Sequence, residues 1–175
     1  MILLSGFRRV IGALPQGLPL PEASWRSRHR AILVLLWLHI AALPFIGWAT
    51  GKSPGHLAFE ITAIAAFAAA ATQPRGGRRL RAIAAVVGLL LTSALLVHVS
   101  DGLTEMHFHF FVMIAVITLY QDWAVFVSAI AFVALHHGVV GAMSPHDVYA
   151  HSPAWRNPWK WAGVHAAFVL AASAV

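Results

Sequence analysis

The 175-residue chain contains no cysteine. That excludes disulfides, thiolate metal sites and thiol nucleophiles. Any metal would have to be held by His, carboxylate or Met. Charge is scarce as well. Only 10% of the residues are Asp, Glu, Lys or Arg, and no more than six are acidic; a soluble domain carries about a quarter charged residues. An ordinary water-soluble domain is therefore excluded. No small-residue cleavage pattern follows a long apolar core near the N-terminus, so no cleaved signal peptide is expected.

What fills the chain instead is apolar sequence. Hydrophobic residues make up 59% of it, in long runs that recur from end to end. This composition predicts an all-α, polytopic membrane bundle folded as one unit. The net charge of +6 does not point to nucleic acid. The basic residues cluster beside apolar segments, which fits membrane topology and anionic headgroups.

Taken in order, residues 1–30 mix short apolar runs with Arg8, Arg9, Arg26, Arg28 and Arg30, and predict a cytoplasmic, partly interfacial arm. A transmembrane domain over 31–175 follows. Its six apolar segments fall at about 31–50, 56–72, 82–100, 104–120, 123–143 and from 159 onward, each of roughly the 17–25 residues a bilayer requires. Pro44 is expected to kink the first. The sixth segment is still apolar at Val175, so a continuation into a cytoplasmic output module is expected. With the N-terminus inside, nine basic residues lie inside (the five above with Arg75, Arg78, Arg79 and Arg81) and three outside (Lys52, Arg156 and Lys160). This positive-inside bias predicts both termini in the cytoplasm of a multi-pass protein of the bacterial inner membrane.

On this topology the histidines collect at one level. His98 ends the third helix. His107 and His109 open the fourth, His56 opens the second, His136 and His137 lie well out along the fifth, and His165 is two turns down the sixth. All belong to the outer third of the bundle. Polar groups inside membrane spans are expensive and usually face the interior or a cavity. A single intramembrane His is often a helix-to-helix hydrogen bond, and His39 near mid-membrane is as well explained that way as by function. His146 and His151 read as solvated loop residues. For His98, His107, His109, His136, His137 and His165 together, a metal or ligand site is the better reading. Neutral imidazole is the commonest protein metal ligand. Several imidazoles without thiolate favour copper or iron, with zinc also open. On a helix, His107 and His109 lie about 200° apart, so they cannot both point at one partner and could serve two centres. Glu60, one turn beyond His56, and Glu105 could ligate or orient an imidazole. Asp101 reads as the turn residue of Asp-Gly.

The run Glu105-Met-His-Phe-His-Phe-Phe, then Leu119-Tyr-Gln-Asp-Trp123, then His136-His137, a Pro-rich loop and Trp159 to His165 resembles the multi-pass N-terminal region of certain bacterial signalling proteins. Those proteins carry a diguanylate cyclase or methyl-accepting chemotaxis module after the last helix. The resemblance covers residues 79–175 and implies a membrane sensory input domain. It implies no particular ligand. A weaker, motif-level similarity is to the catalytic subunit of haem–copper oxidases, where a His-Phe-His helix and a His-His pair ligate haem and copper. The order and spacing differ here, and six helices are too few for that fold.

The first functional expectation is therefore a membrane sensor. It binds a transition metal, or a small ligand on that metal, from the periplasmic side and relays occupancy through the sixth helix; a homodimer is the expected assembly. A haem b sensor with two axial histidines is the nearest alternative. A membrane metalloenzyme, with Glu60 or Glu105 as base, lacks any evident substrate pocket. A metal or proton transporter lacks polar residues in the inner halves of the second, third and fifth helices.

Overall fold

The computed structural model of the protein describes residues 20–173, and the described residues contain helices and no strand. The first nineteen residues of the expected arm, Arg8 and Arg9 among them, lie outside the described part. So do the last two residues, Ala174 and Val175.

Helix α1 spans Glu22–Ala49, starting nine residues before the expected boundary. The segment was expected to begin where lipid-compatible sequence begins, but a helix can continue beyond hydrocarbon. Here Pro21 precedes the first turn and Glu22 places a negative charge on it, where the helix dipole favours one. Glu22 also lies 3.6 Å from Arg26 and 3.5 Å from Arg78. Pro44 sits inside α1, and the helix continues through it. Helix α2, Pro54–Thr72, starts with Pro at its first position and with the Ser53 hydroxyl accepting from the His56 backbone N–H; both are standard helix-start devices.

Helix α3, Arg78–Val99, is the centre of the bundle. It packs against α1, α2, α4 and α5. Beyond Arg81 it is apolar on nearly every side, as suits a helix surrounded by others. Ala82, Ala84, Ala85 and Gly88 are buried along it, and small residues let neighbouring backbones come close. A Cβ on Gly88 would stand 2.9 Å from Leu36 of α1. Helix α4, Thr104–Ile117, ends in a 3-10 turn, Thr118–Tyr120. Gln121 then takes a left-handed conformation (φ 50°). Asp122 caps helix α5 by accepting from the backbone N–H of Ala124 at 2.8 Å and of Val125 at 3.4 Å.

Helix α5, Trp123–Leu135, runs into a π-helical turn at His136–Val140 and a last turn at Gly141–Met143. The expected polar loop that follows holds two short helices, α6 (Pro145–Val148) and α7 (Ser152–Arg156), each started by a proline. Helix α8 spans Pro158–Ser173. By length and composition α1, α2, α3 and the helix Trp123–Met143 could cross a membrane, while the apolar helix Thr104–Tyr120 is shorter. The outward faces carry large apolar side chains in the open, such as Phe45, Trp48, Phe59 and Phe108. Four such helices and this apolar exterior mark a membrane-associated protein.

The turn from α3 to α4 is the tightest part of the fold. Asp101 and Gly102 both have positive φ, 55° and 76°, which glycine accepts freely and most residues do not. A Cβ on Gly102 would lie 2.6 Å from the backbone of Tyr149. Gly102→Ala should therefore lower stability by about 1–3 kcal/mol, read as a fall in melting temperature of the detergent-solubilised chain. Gly55→Ala, in the first turn of α2 with open space around it, is the control and should change stability by less than about 0.5 kcal/mol. Equal behaviour of the two variants would contradict this account of the turn.

Candidate metal centre

The end of the bundle built by the α1–α2 and α3–α4 turns and by α6 and α7 holds most of the histidines. Lys52 Nζ donates to Asp101 Oδ1 at 2.6 Å and ties the two turns together. That ammonium holds the Asp101 carboxyl below its ordinary range.

Next to this turn, His107 of α4, His137 of the π-turn and His165 of α8 meet. One ring nitrogen from each lies within 4.8 Å of the other two. Their ring centroids are 5.0–5.4 Å apart. In each ring, Nδ1 faces a backbone carbonyl one turn back on its own helix. His107 meets Leu103 O at 3.1 Å, His137 meets Val133 O at 3.0 Å and His165 meets Trp161 O at 2.9 Å. A carbonyl can only accept, so Nδ1 must carry the proton and donate. Each Nε2 is left with a lone pair. Metal-binding histidines are usually oriented in this way, with the second nitrogen donating to a carbonyl or carboxylate. His107 Nε2 is buried with no hydrogen-bond partner among the described residues, a costly state for a polar atom. A bound cation would satisfy it.

The π-turn explains how α5 contributes. Such single-turn bulges are rare and recur at functional sites. His137 is buried in the group of three, while the His136 ring lies parallel to Phe132 and tilted against Phe110. His136 Nδ1 is also buried without a partner. Tyr149, in the link between α6 and α7, covers the group. Its ring lies parallel to that of His107, 6.5 Å away, and its hydroxyl donates to the His137 carbonyl at 3.1 Å. The hydroxyl lies 3.1 Å from where a Gly141 Cβ would be. A cavity of about 280 Å³ opens beside His107 and His165, walled by Tyr149, Phe108, Phe111 and Phe168.

The other expected ligands go elsewhere. His109 faces α1 and α3: its Nε2 lies 3.0 Å from His39 Nε2, and its Nδ1 lies 2.8 Å from Ser93 Oγ. His98 meets His56 and Glu60 of α2. Glu105 is exposed and belongs to none of these groups. His146 packs on Trp155 and His151 on Trp161. The six histidines expected at one site are thus divided among three groups. The division follows from their directions: His107 and His109, two residues apart on α4, face opposite sides of it.

Three participants were not anticipated. Tyr149 and Ser93 carry no signal in a single sequence, because their roles depend on which helices are neighbours. His29, seven residues into α1, lies at the far end of the bundle. It is buried, with Nδ1 2.7 Å from the Tyr120 hydroxyl and Nε2 3.1 Å from Ala71 O. Its place in the expected cytoplasmic, partly interfacial arm concealed it.

Burial pushes the Tyr149 hydroxyl up to about 12, against about 10 in an unfolded chain. The protonated phenol is therefore favoured by folding. Its contribution is intact below pH ~10 and is lost as pH rises toward ~12. The chain has two tyrosines. In a Tyr120→Phe variant, phenolate absorbance of the folded protein should therefore appear only near pH ~12. Ionisation near pH ~10 in the folded state would contradict the burial of this ring.

No family model matches the chain, and no solved structure does either. Among curated proteins it is similar to the transducer protein Htr8 of Halobacterium salinarum. The two are 39% identical over 168 aligned residues, a match that takes in 89% of this chain and 26% of the relative. The chain thus spans about a quarter of the length of the transducer it matches, and across that quarter it is related to a protein of signal transduction.

Proposed function

We propose that this chain is the membrane sensory portion of a signal transducer, and that His107, His137 and His165 bind a transition-metal ion within it. The observation that carries the metal reading is the convergence of three imidazoles, one ring nitrogen of each within 4.8 Å of the other two, with each Nδ1 bonded to its own helix. Three neutral imidazoles suit copper, iron or zinc. His107 and His165 also line the adjoining cavity, through which a small sensed molecule could reach an ion held there. An ion is preferred to a haem because three imidazoles converge, one more than the two axial positions a haem offers.

The sensory reading rests on the likeness to a transducer and on which helices the group joins. In the proposed topology six helices cross the membrane, the arginine-rich end faces the cytoplasm and the histidine end faces out. His165 lies on α8, which in the proposed topology runs from the outer face toward the cytoplasm. A ligand can move α8 only if it binds two bundle arrangements with different affinity. Residues on three helices meet that requirement, because a shift of α8 past α4 and α5 changes the distances among the three nitrogens.

Elemental analysis of the full chain, purified in detergent without chelator, tests the proposal. His107→Ala with His137→Ala should remove one equivalent of transition metal per chain, while His39→Ala should retain it. Metal content equal to wild type in the double variant, or no metal in wild type after reconstitution with copper, iron or zinc, would sink the proposal.

A further inference from the structure

We propose that His56, Glu60 and His98 form a second divalent-metal site at the mouth of the same end of the bundle, with Asp147 as its positioning residue. It shares no side chain with the group of His107, His137 and His165 and stands independently of that reading. His56 and Glu60 lie one turn apart at the start of α2, on one face. His98 comes from the last turn of α3. His56 Nε2 and His98 Nε2 share a hydrogen bond of 2.9 Å, which an ion between them would replace. Glu60 reaches both, with Oε2 3.5 Å from His56 Nε2 and Oε1 3.9 Å from His98 Nε2.

These separations match a coordination sphere. Zinc bonds of about 2.0–2.1 Å in a tetrahedron set neighbouring ligand atoms about 3.3 Å apart. The 2.9 Å hydrogen bond is a few tenths of an ångström shorter than that and the two contacts to the Glu60 oxygens are longer, so small side-chain shifts would bring the three residues onto one ion. Two imidazoles and one carboxylate, with remaining positions open to water, make a common donor set for zinc and related divalent ions. Glu60 Oε2 is buried without a hydrogen-bond partner, an unfavourable state for a carboxylate oxygen that an adjacent cation would relieve.

The ring of His98 is oriented from behind. Asp147 Oδ1 lies 3.4 Å from His98 Nδ1, where a carboxylate favours the proton on Nδ1 and leaves Nε2 free to ligate. His56 is about half exposed and His98 about a quarter, so this site opens to solvent where the first is enclosed. It would exchange metal readily with the surroundings.

Cobalt(II) serves as a spectroscopic probe for zinc. The experiment titrates it into the full chain in detergent, with His107→Ala and His137→Ala in the background to disable the enclosed group. One equivalent should bind with visible ligand-field bands, and adding His56→Ala and His98→Ala should abolish it. Asp147→Asn should weaken binding about tenfold to a hundredfold at unchanged stoichiometry. No binding in the folded background, or binding indifferent to loss of His56 and His98, overturns the site; unchanged affinity in Asp147→Asn overturns the role given to Asp147. Should the background variant fail to fold by circular dichroism, His56→Ala with His98→Ala in the otherwise intact chain must bind one equivalent fewer than wild type, and equal stoichiometry overturns the proposal. If the enclosed group binds no metal, wild type and background hold the same single equivalent, so the two readings fail separately.

Discussion

Four imidazoles on four helices obey the same local rule: each gives its Nδ1 proton to the carbonyl one turn back. His39, His107, His137 and His165 bond to Leu35, Leu103, Val133 and Trp161. The rule comes from the apolar setting, where an unmet polar atom is costly and water is scarce. A histidine that settles one nitrogen on its own helix is held in one tautomer and aims the other nitrogen across the bundle. What it meets there depends on the neighbour. His39 meets another imidazole, and His107 meets two whose Nε2 atoms also carry lone pairs. The first arrangement can close by a hydrogen bond. In the second, His107 Nε2 is buried with no hydrogen-bond partner among the described residues.

Much of the architecture was legible because the bilayer imposes long apolar segments, and the turns between them are marked by Pro, Gly and basic residues. Boundaries were less so, as α1 shows: a hydropathy reading stops where the arginines begin, whereas the helix continues to Glu22 with an ion pair to Arg78. The convergence of histidines at one end was also legible, since it follows from topology alone. Their division into groups was not. That depends on the rotation of each helix about its axis and on which helices touch. The π-turn at His136–Val140 shifts the phase of α5 at the very residues in question, and nothing in the local sequence announces it.

The opposite end is built on other chemistry. Trp25 stacks on His29 and lies beneath the guanidinium groups of Arg78 and Arg81, each 5.2 Å from the ring centroid. Arg79 pairs with Asp122 at 2.9 Å, and Arg28 donates to Leu119 O at 2.8 Å. The Leu-Tyr-Gln-Asp-Trp run is accounted for here. Tyr120 reaches His29, Gln121 turns the chain and Asp122 caps α5 while holding an arginine. This network joins α1, α2, α3 and the α4–α5 connection.

The short loop from Ser144 to Ala150 touches both polar groups at the histidine end. Asp147 stands behind His98, and two residues later Tyr149 is held against Gly102 and Gly141 with its hydroxyl on the His137 carbonyl. Two sites that share one such support obey thermodynamic reciprocity. Whatever factor occupancy of one imposes on the affinity of the other through this loop, the second imposes on the first. The loop would thus be the place where a change at one group is felt at the other, through Asp147 on one side and Tyr149 on the other.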